Sequence, residues 1–183
     1  NRNLTRNIPN ILTMLRLLAV PFFILSIISE QDYSYHYALL IFILASLTDA
    51  LDGKLARKFN AESKFGAFFD PLADKVLIIS AFTLFLNLEE LKDIIKPWMV
   101  FMILFRDLSI TVLRIIIKSM GLCMITSNIA KLKTAFQLIS IILILFLLSF
   151  YPNYLINSKA IELLILGVTL FTILTGVDYY YKN

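Results

Sequence analysis

Residues 49–74, DALDGKLARKFNAESKFGAFFDPLAD, hold the side chains best suited to chemistry. Asp49 and Asp52 are spaced i,i+3, and Asp70 and Asp74 i,i+4. On a helix either spacing puts both residues on one face. Strongly apolar runs flank the segment, ALLIFILASL before it and VLIISAFTLFL after it. Carboxylates gathered at the edge of hydrocarbon repel one another unless a cation lies between them. Hard divalent ions prefer oxygen ligands, and Mg²⁺ typically joins carboxylates to substrate phosphates. Two Mg²⁺ or Mn²⁺ ions held by Asp49, Asp52, Asp70 and Asp74 would suit phosphoryl transfer, where metals clamp the attacking and leaving oxygens. Gly53 costs a helix about 1 kcal/mol relative to alanine, which is explained if a ligand approaches the backbone there. Ala56 extends the small-residue face, and Arg57 has the geometry to meet a diphosphate bidentately. Gly66 closes a polar turn.

The general base must come from the same set. His36, the single histidine, lies near the loop opposite the acidic segment and reads as an interfacial residue. The one cysteine, Cys123, has no histidine nearby in sequence and reads as an apolar filler. It excludes an internal disulfide. No GxSxG elbow occurs. A carboxylate is left to activate a hydroxyl, and Asp74, deepest of the four in the apolar run, is the candidate.

The elements that must position these residues are apolar helices. Of 183 residues 59% are apolar and 16% charged, against about 25% charged in a typical soluble domain. The apolar residues fall into six blocks, most near the roughly 20 residues needed to cross a bilayer. We expect an all-α, six-transmembrane-helix integral membrane protein in one domain, residues 1–183. The spacing predicts helices over about 10–29, 35–58, 67–88, 97–118, 128–150 and 158–180, with Pro9 and Asn10 marking the first start. No cleaved leader pattern follows Arg2 and Arg6. With the N-terminus cytoplasmic, Arg2, Arg6, Lys54, Arg57, Lys58, Lys64, Lys118, Lys131, Lys133 and Lys182 lie on the inner side, and Lys92, Lys96 and Lys159 on the outer. That distribution predicts N-in/C-in by the positive-inside rule, with the acidic segment at the cytoplasmic face of the cell membrane. The net charge of +4 suits anionic lipid head groups and is too scattered for nucleic acid.

Eight charged residues lie in or beside the apolar spans: the four aspartates with Arg16, Lys75, Arg106 and Arg114. Insertion scales put each at about 2.5–3.5 kcal/mol at mid-bilayer. Convergence on one cytoplasmic-facing polar cavity, where acids, bases and a ligand compensate one another, lowers that cost.

The pattern Asp49-x2-Asp52-Gly53-x2-Ala56-Arg57-x8-Gly66-x3-Asp70-x3-Asp74 resembles the signature of the CDP-alcohol phosphatidyltransferases at every fixed position. NIPNILTMLR, ASLTDALDGKLAR, FGAFFDPLADK, FRDLSITVLR and SNIAKLKTAFQ are similar to the bacterial CDP-diacylglycerol–glycerol-3-phosphate 3-phosphatidyltransferases within it. The last helix matches by hydrophobicity and length alone. The resemblance implies a homodimeric six-helix membrane enzyme with two divalent ions on the four aspartates. It implies that the CDP part of CDP-diacylglycerol lies against Asp52, Gly53, Ala56 and Arg57, with Asn10, Thr13 and Gly66 also on the donor side. It implies that Asp74 deprotonates the glycerol-3-phosphate hydroxyl, which attacks the donor β-phosphorus and releases CMP. The acceptor's own phosphate then needs cations away from the metals, and Lys75, Arg106, Arg114, Lys131 and Lys133 are the candidates. Arg106 and Arg114 are eight residues apart, about 80° around a helix, so they could converge on one phosphate. Asp107 stands where those enzymes often have glutamate, and Ala130 where they often have glycine.

Three other readings stay open on sequence. The same reaction with inositol, inositol phosphate, serine or phosphatidylglycerol as acceptor would use the same acidic segment. A transporter coupled to cations would use membrane carboxylates as an ion path, although the acids cluster at one surface, with Asp107 alone in the middle of helices four to six, and no inverted repeat occurs. A membrane scaffold would leave the concentrated acids unexplained.

Overall fold

The computed structural model describes residues 2–29, 31–59, 64–120, 128–155 and 158–182, and side chains at 11–29, 31–48, 75–117, 119–120, 131–154 and 158–181. All regular structure among them is helical: α1 (Arg2–Ile28), α2 (Ser34–Phe59), α3 (Lys64–Phe85), α4 (Pro97–Ser119), α5 (Asn128–Phe150), the single turn α6 (Pro152–Leu155) and α7 (Lys159–Lys182). A 3₁₀ turn, Glu89–Leu91, joins α3 to α4. Six long helices therefore stand where six apolar blocks predicted them. Their ends differ in three places, the third being α3, which stops at Phe85 rather than about residue 88. Pro9 lies inside α1 rather than at its start, although an interior proline loses an amide bond and crowds the carbonyl four residues before it. Gly66 lies within the first turn of α3 rather than in the turn before it.

Among the described residues, three helical segments are long and apolar enough to cross a membrane by length and composition: Ile11–Ile28, Lys131–Phe150 and Lys159–Tyr181. Ser34–Thr48 and Lys75–Phe85 are shorter apolar runs. α4 carries Arg106, Asp107 and Arg114 along its length. Large apolar side chains also cover the outside. Phe22, Leu25, Phe101, Phe105, Leu163 and Leu174 are each more than 60% exposed, a surface suited to hydrocarbon rather than water.

The long helices close a ring in the order α1, α2, α5, α7, α4, α3, and α3 also touches α5 across it. The core runs through this ring from Phe23 and Phe42, whose rings lie 5.6 Å apart, through Phe82 and Phe85 to Ile103, Ile144, Leu145 and Ile165. One end is sealed. Leu91, Ile94 and Ile95 of the connection after α3 are buried, although the charged run EELKDIIK reads as an open loop. Tyr35 Oη donates to Glu90 Oε1 at 3.3 Å, and the His36 ring meets Phe150 edge-on at 4.8 Å. Ser158 Oγ accepts from the Ile161 amide and caps α7. The acidic segment belongs to the other end, at the α2 C-terminus and the α3 N-terminus.

Candidate active site

Asp49 and Asp52 lie in α2 and Asp70 and Asp74 in α3, so both spacings fall on helix as expected. Both helices pack against α1. Gly53, Ala56 and Arg57 share α2 with the first pair. The side chains of Asn10, Asp49, Asp52, Gly53, Ala56, Arg57, Gly66, Asp70 and Asp74 lie outside the described residues, as does Cys123. The donor set nevertheless fits hard divalent ions: four carboxylates in two helical pairs. Thr13 and Arg16, one turn apart on α1, are both buried to within 1% of full cover. α1 packs on α2 and α3, the helices that carry the aspartates. Arg16 counted in the sequence only as a costly membrane charge.

The second half of the site is built from α3, α4 and α5. Asp107, 2% exposed, sits at its centre. Lys133 Nζ donates to Asp107 Oδ1 at 2.5 Å, Arg106 Nη1 to the same oxygen at 3.1 Å, and Lys75 Nζ to Oδ2 at 3.4 Å. Three cations thus surround one carboxylate. Lys133 is fully buried and Lys75 about four-fifths buried. Arg106 Nε and Nη2 are buried and have no hydrogen-bond partner among the described residues. A buried donor left unpaired costs about 1–3 kcal/mol, more when charged. Surplus positive charge and orphaned guanidinium N–H groups together describe a site for an anion.

Of the five cations proposed for the acceptor, the fold brings Lys75, Arg106 and Lys133 together. Lys131 is exposed, because two residues of helix carry it about 200° around α5 from Lys133. Arg114 lies two turns beyond Arg106, half-buried, and its Nε has no partner among the described residues. Asp107, which in sequence looked only like a shortened glutamate, is the hub. One turn along α5 from Lys133, Gln137 is fully buried. Its Nε2 donates to Thr172 Oγ1 of α7 at 3.4 Å, and its Oε1 has no partner. The signal was present in sequence: Lys133, Gln137 and Ser140, spaced i, i+4, i+7, make a polar stripe in a largely apolar helix, and all three are buried.

The model of the CDP-alcohol phosphatidyltransferase family matches residues 6–174. The chain belongs to the CDP-alcohol phosphatidyltransferase family. It is 31% identical to the CDP-diacylglycerol–glycerol-3-phosphate 3-phosphatidyltransferase of Bacillus subtilis (strain 168), over 97% of this chain and 95% of that one. It is 32% identical to the protein of the same name from Rickettsia felis, over 96% and 94%. A probable phosphatidylglycerophosphate synthase of Mycobacterium tuberculosis (strain H37Rv) is 39% identical, over 94% of this chain and 79% of its own. A CDP-alcohol phosphatidyltransferase is a transferase of phospholipid biosynthesis, which favours an enzyme over an ion transporter or a scaffold. Family membership also places the cation cluster inside an enzyme that must bind a second substrate.

Proposed function

We propose that this enzyme transfers the phosphatidyl group of CDP-diacylglycerol to glycerol-3-phosphate, giving phosphatidylglycerol phosphate and CMP. The carrying observation is the cluster of Lys75, Arg106 and Lys133 around Asp107, with two guanidinium nitrogens unpartnered in the protein interior. Its net positive charge suits a phosphate monoester and offers little to a neutral alcohol such as inositol. The names of the relatives, which specify glycerol-3-phosphate or phosphatidylglycerophosphate, support the same acceptor.

In this mechanism Lys75, Arg106 and Lys133 hold the acceptor's phosphate, with Arg114 and Lys131 nearer the approach to the site. Lys75 adjoins Asp74 in sequence, which keeps the held phosphate close to the base. Asp74 accepts the proton of the acceptor hydroxyl as its oxygen bonds to the donor β-phosphorus. The bond from that phosphorus to the bridging oxygen breaks, and its electron pair leaves with CMP. Asp52, Gly53, Ala56 and Arg57 bind the CDP portion, helped by Asn10, Thr13 and Gly66. Two Mg²⁺ or Mn²⁺ ions on Asp49, Asp52, Asp70 and Asp74 would supply charge neutralisation of the diphosphate. The six long helices cross the cell membrane with both termini cytoplasmic, so the site opens where soluble glycerol-3-phosphate reaches the lipid donor. The enzyme works as a homodimer among membrane lipids.

The test is metal-dependent CMP release from CDP-diacylglycerol with glycerol-3-phosphate, inositol phosphate, inositol, serine and phosphatidylglycerol offered in turn. Glycerol-3-phosphate should support release, and EDTA should abolish it. Release with inositol phosphate alone would move the acceptor while keeping the anion site. Release with a neutral alcohol alone would remove the role given to the cluster.

A further inference from the structure

α7 carries no signature residue, yet it bears a glycine that the cation cluster depends on. Gly176 is buried, and a Cβ built on it would lie 2.8 Å from Arg106 Cγ, 3.4 Å from Nε and 3.7 Å from Cδ. The nearest atom is in the arginine's stem, close to the α4 backbone, where rotation of the side-chain tip gives no relief. Gly167, on the same helix, would place a Cβ in open space with nothing within 4 Å. A helix-interior glycine is a cost to the helix relative to alanine. At Gly176 that cost has a physical counterpart: the absent side chain is the channel along which Arg106 lies to reach Asp107.

We infer that Gly176 is a positioning residue for the acceptor phosphate, setting the course of the Arg106 side chain and through it the placement of the guanidinium. The inference rests on the reading of Arg106 as an acceptor-phosphate ligand. Any side chain at position 176 pushes the Arg106 stem off its path. A shift of about 1 Å in a positioning group is enough to cost on the order of 100-fold in rate. Because Arg106 contacts the acceptor and not the donor, the loss falls on the KM for glycerol-3-phosphate and spares the KM for CDP-diacylglycerol.

The experiment compares Gly176→Ala with Gly167→Ala, Arg106→Ala and the double variant Gly176→Ala/Arg106→Ala, each purified as the full chain. Steady-state CMP release gives both substrates' KM values, and thermal unfolding gives stability. Gly176→Ala should raise the glycerol-3-phosphate KM on the order of 10-fold or more, with kcat and the donor KM within about twofold. Gly167→Ala should match the wild type. In the Arg106→Ala background the alanine at 176 should change nothing further. Should Gly176→Ala fail to fold, the double variant should be as stable as Arg106→Ala alone, because removing the arginine stem removes the clash. An unchanged acceptor KM in Gly176→Ala, an equal effect with and without Arg106, or a double variant less stable than Arg106→Ala overturns the inference. An acceptor KM unaltered by Arg106→Ala itself overturns instead the assignment of the acceptor site.

Discussion

Asp107 is held by three cations from three helices, and its replacement separates a structural from a catalytic reading of the cluster. Removing one partner of a buried ionic group leaves charge uncompensated at a cost of about 3–5 kcal/mol. Asp107→Ala, which strands Lys75, Arg106 and Lys133, should therefore destabilise the protein by about that amount. Unfolding followed by the fluorescence of Trp98, the single tryptophan, measures it. Glycerol-3-phosphate should restore more stability to this variant than it adds to the wild type, because a bound dianion takes over the carboxylate's role. At the acidic segment, Asp74→Asn should abolish CMP release while part of the CDP-lipid binding survives. A variant that retains near-normal kcat would end the assignment of Asp74 as base.

At the scale of elements, α4 shows how one helix serves lipid, core and site together. Phe101, Phe105, Leu108 and Val112 are exposed, while Val100, Ile103, Arg106, Asp107 and Ile110 are buried. The polar residues therefore fall on the inner stripe with the core residues. Charge on the outer stripe should cost membrane insertion about 2.5–3.5 kcal/mol, the scale value for aspartate at a helix centre. Phe105→Asp should accordingly lower the folded membrane fraction in a flotation assay, and Phe105→Leu should leave it unchanged. Ile103→Ala, on the inner stripe, should instead lose about 2–5 kcal/mol through a cavity, visible as earlier thermal unfolding. The connection after α3 shows the opposite arrangement. Its charged residues hide the buried anchors Leu91, Ile94 and Ile95 in a run that a hydropathy reading leaves open.

Across the whole molecule, the ring of helices has a sealed end and a polar end. Tyr35, Glu90, His36 and Phe150 fasten the first, and the aspartate helices and the cation cluster occupy the second. The positive-inside count supports the proposal that the polar end faces the cytoplasm. In a Cys123→Ser background, Asn3→Cys should react with a membrane-impermeant maleimide only from the cytoplasmic side, and Lys92→Cys only from the outside. The reverse pattern would invert the topology and separate the site from cytoplasmic glycerol-3-phosphate.

The sequence by itself determined the helices, their order and the reaction class. Helix formation follows from long apolar runs, and the aspartate spacings with Gly53 and Arg57 are local patterns that survive any tertiary arrangement. Which cations meet was not local. Lys75, Arg106 and Lys133 are distant in the chain, and their meeting depends on how each helix is rotated about its axis. In a water-soluble helix a broad polar face would reveal that rotation; here core and lipid faces are both largely apolar, and the few polar residues, such as Arg106 and Asp107 on α4 and Lys133, Gln137 and Ser140 on α5, mark the inner side without showing which of them meet. Only the packing of α3, α4 and α5 turned Lys133 inward and Lys131 outward and set Asp107 among three cations. Only the approach of α7 to α4 showed that Gly176 leaves room for Arg106, because a missing side chain acquires meaning from what lies against it.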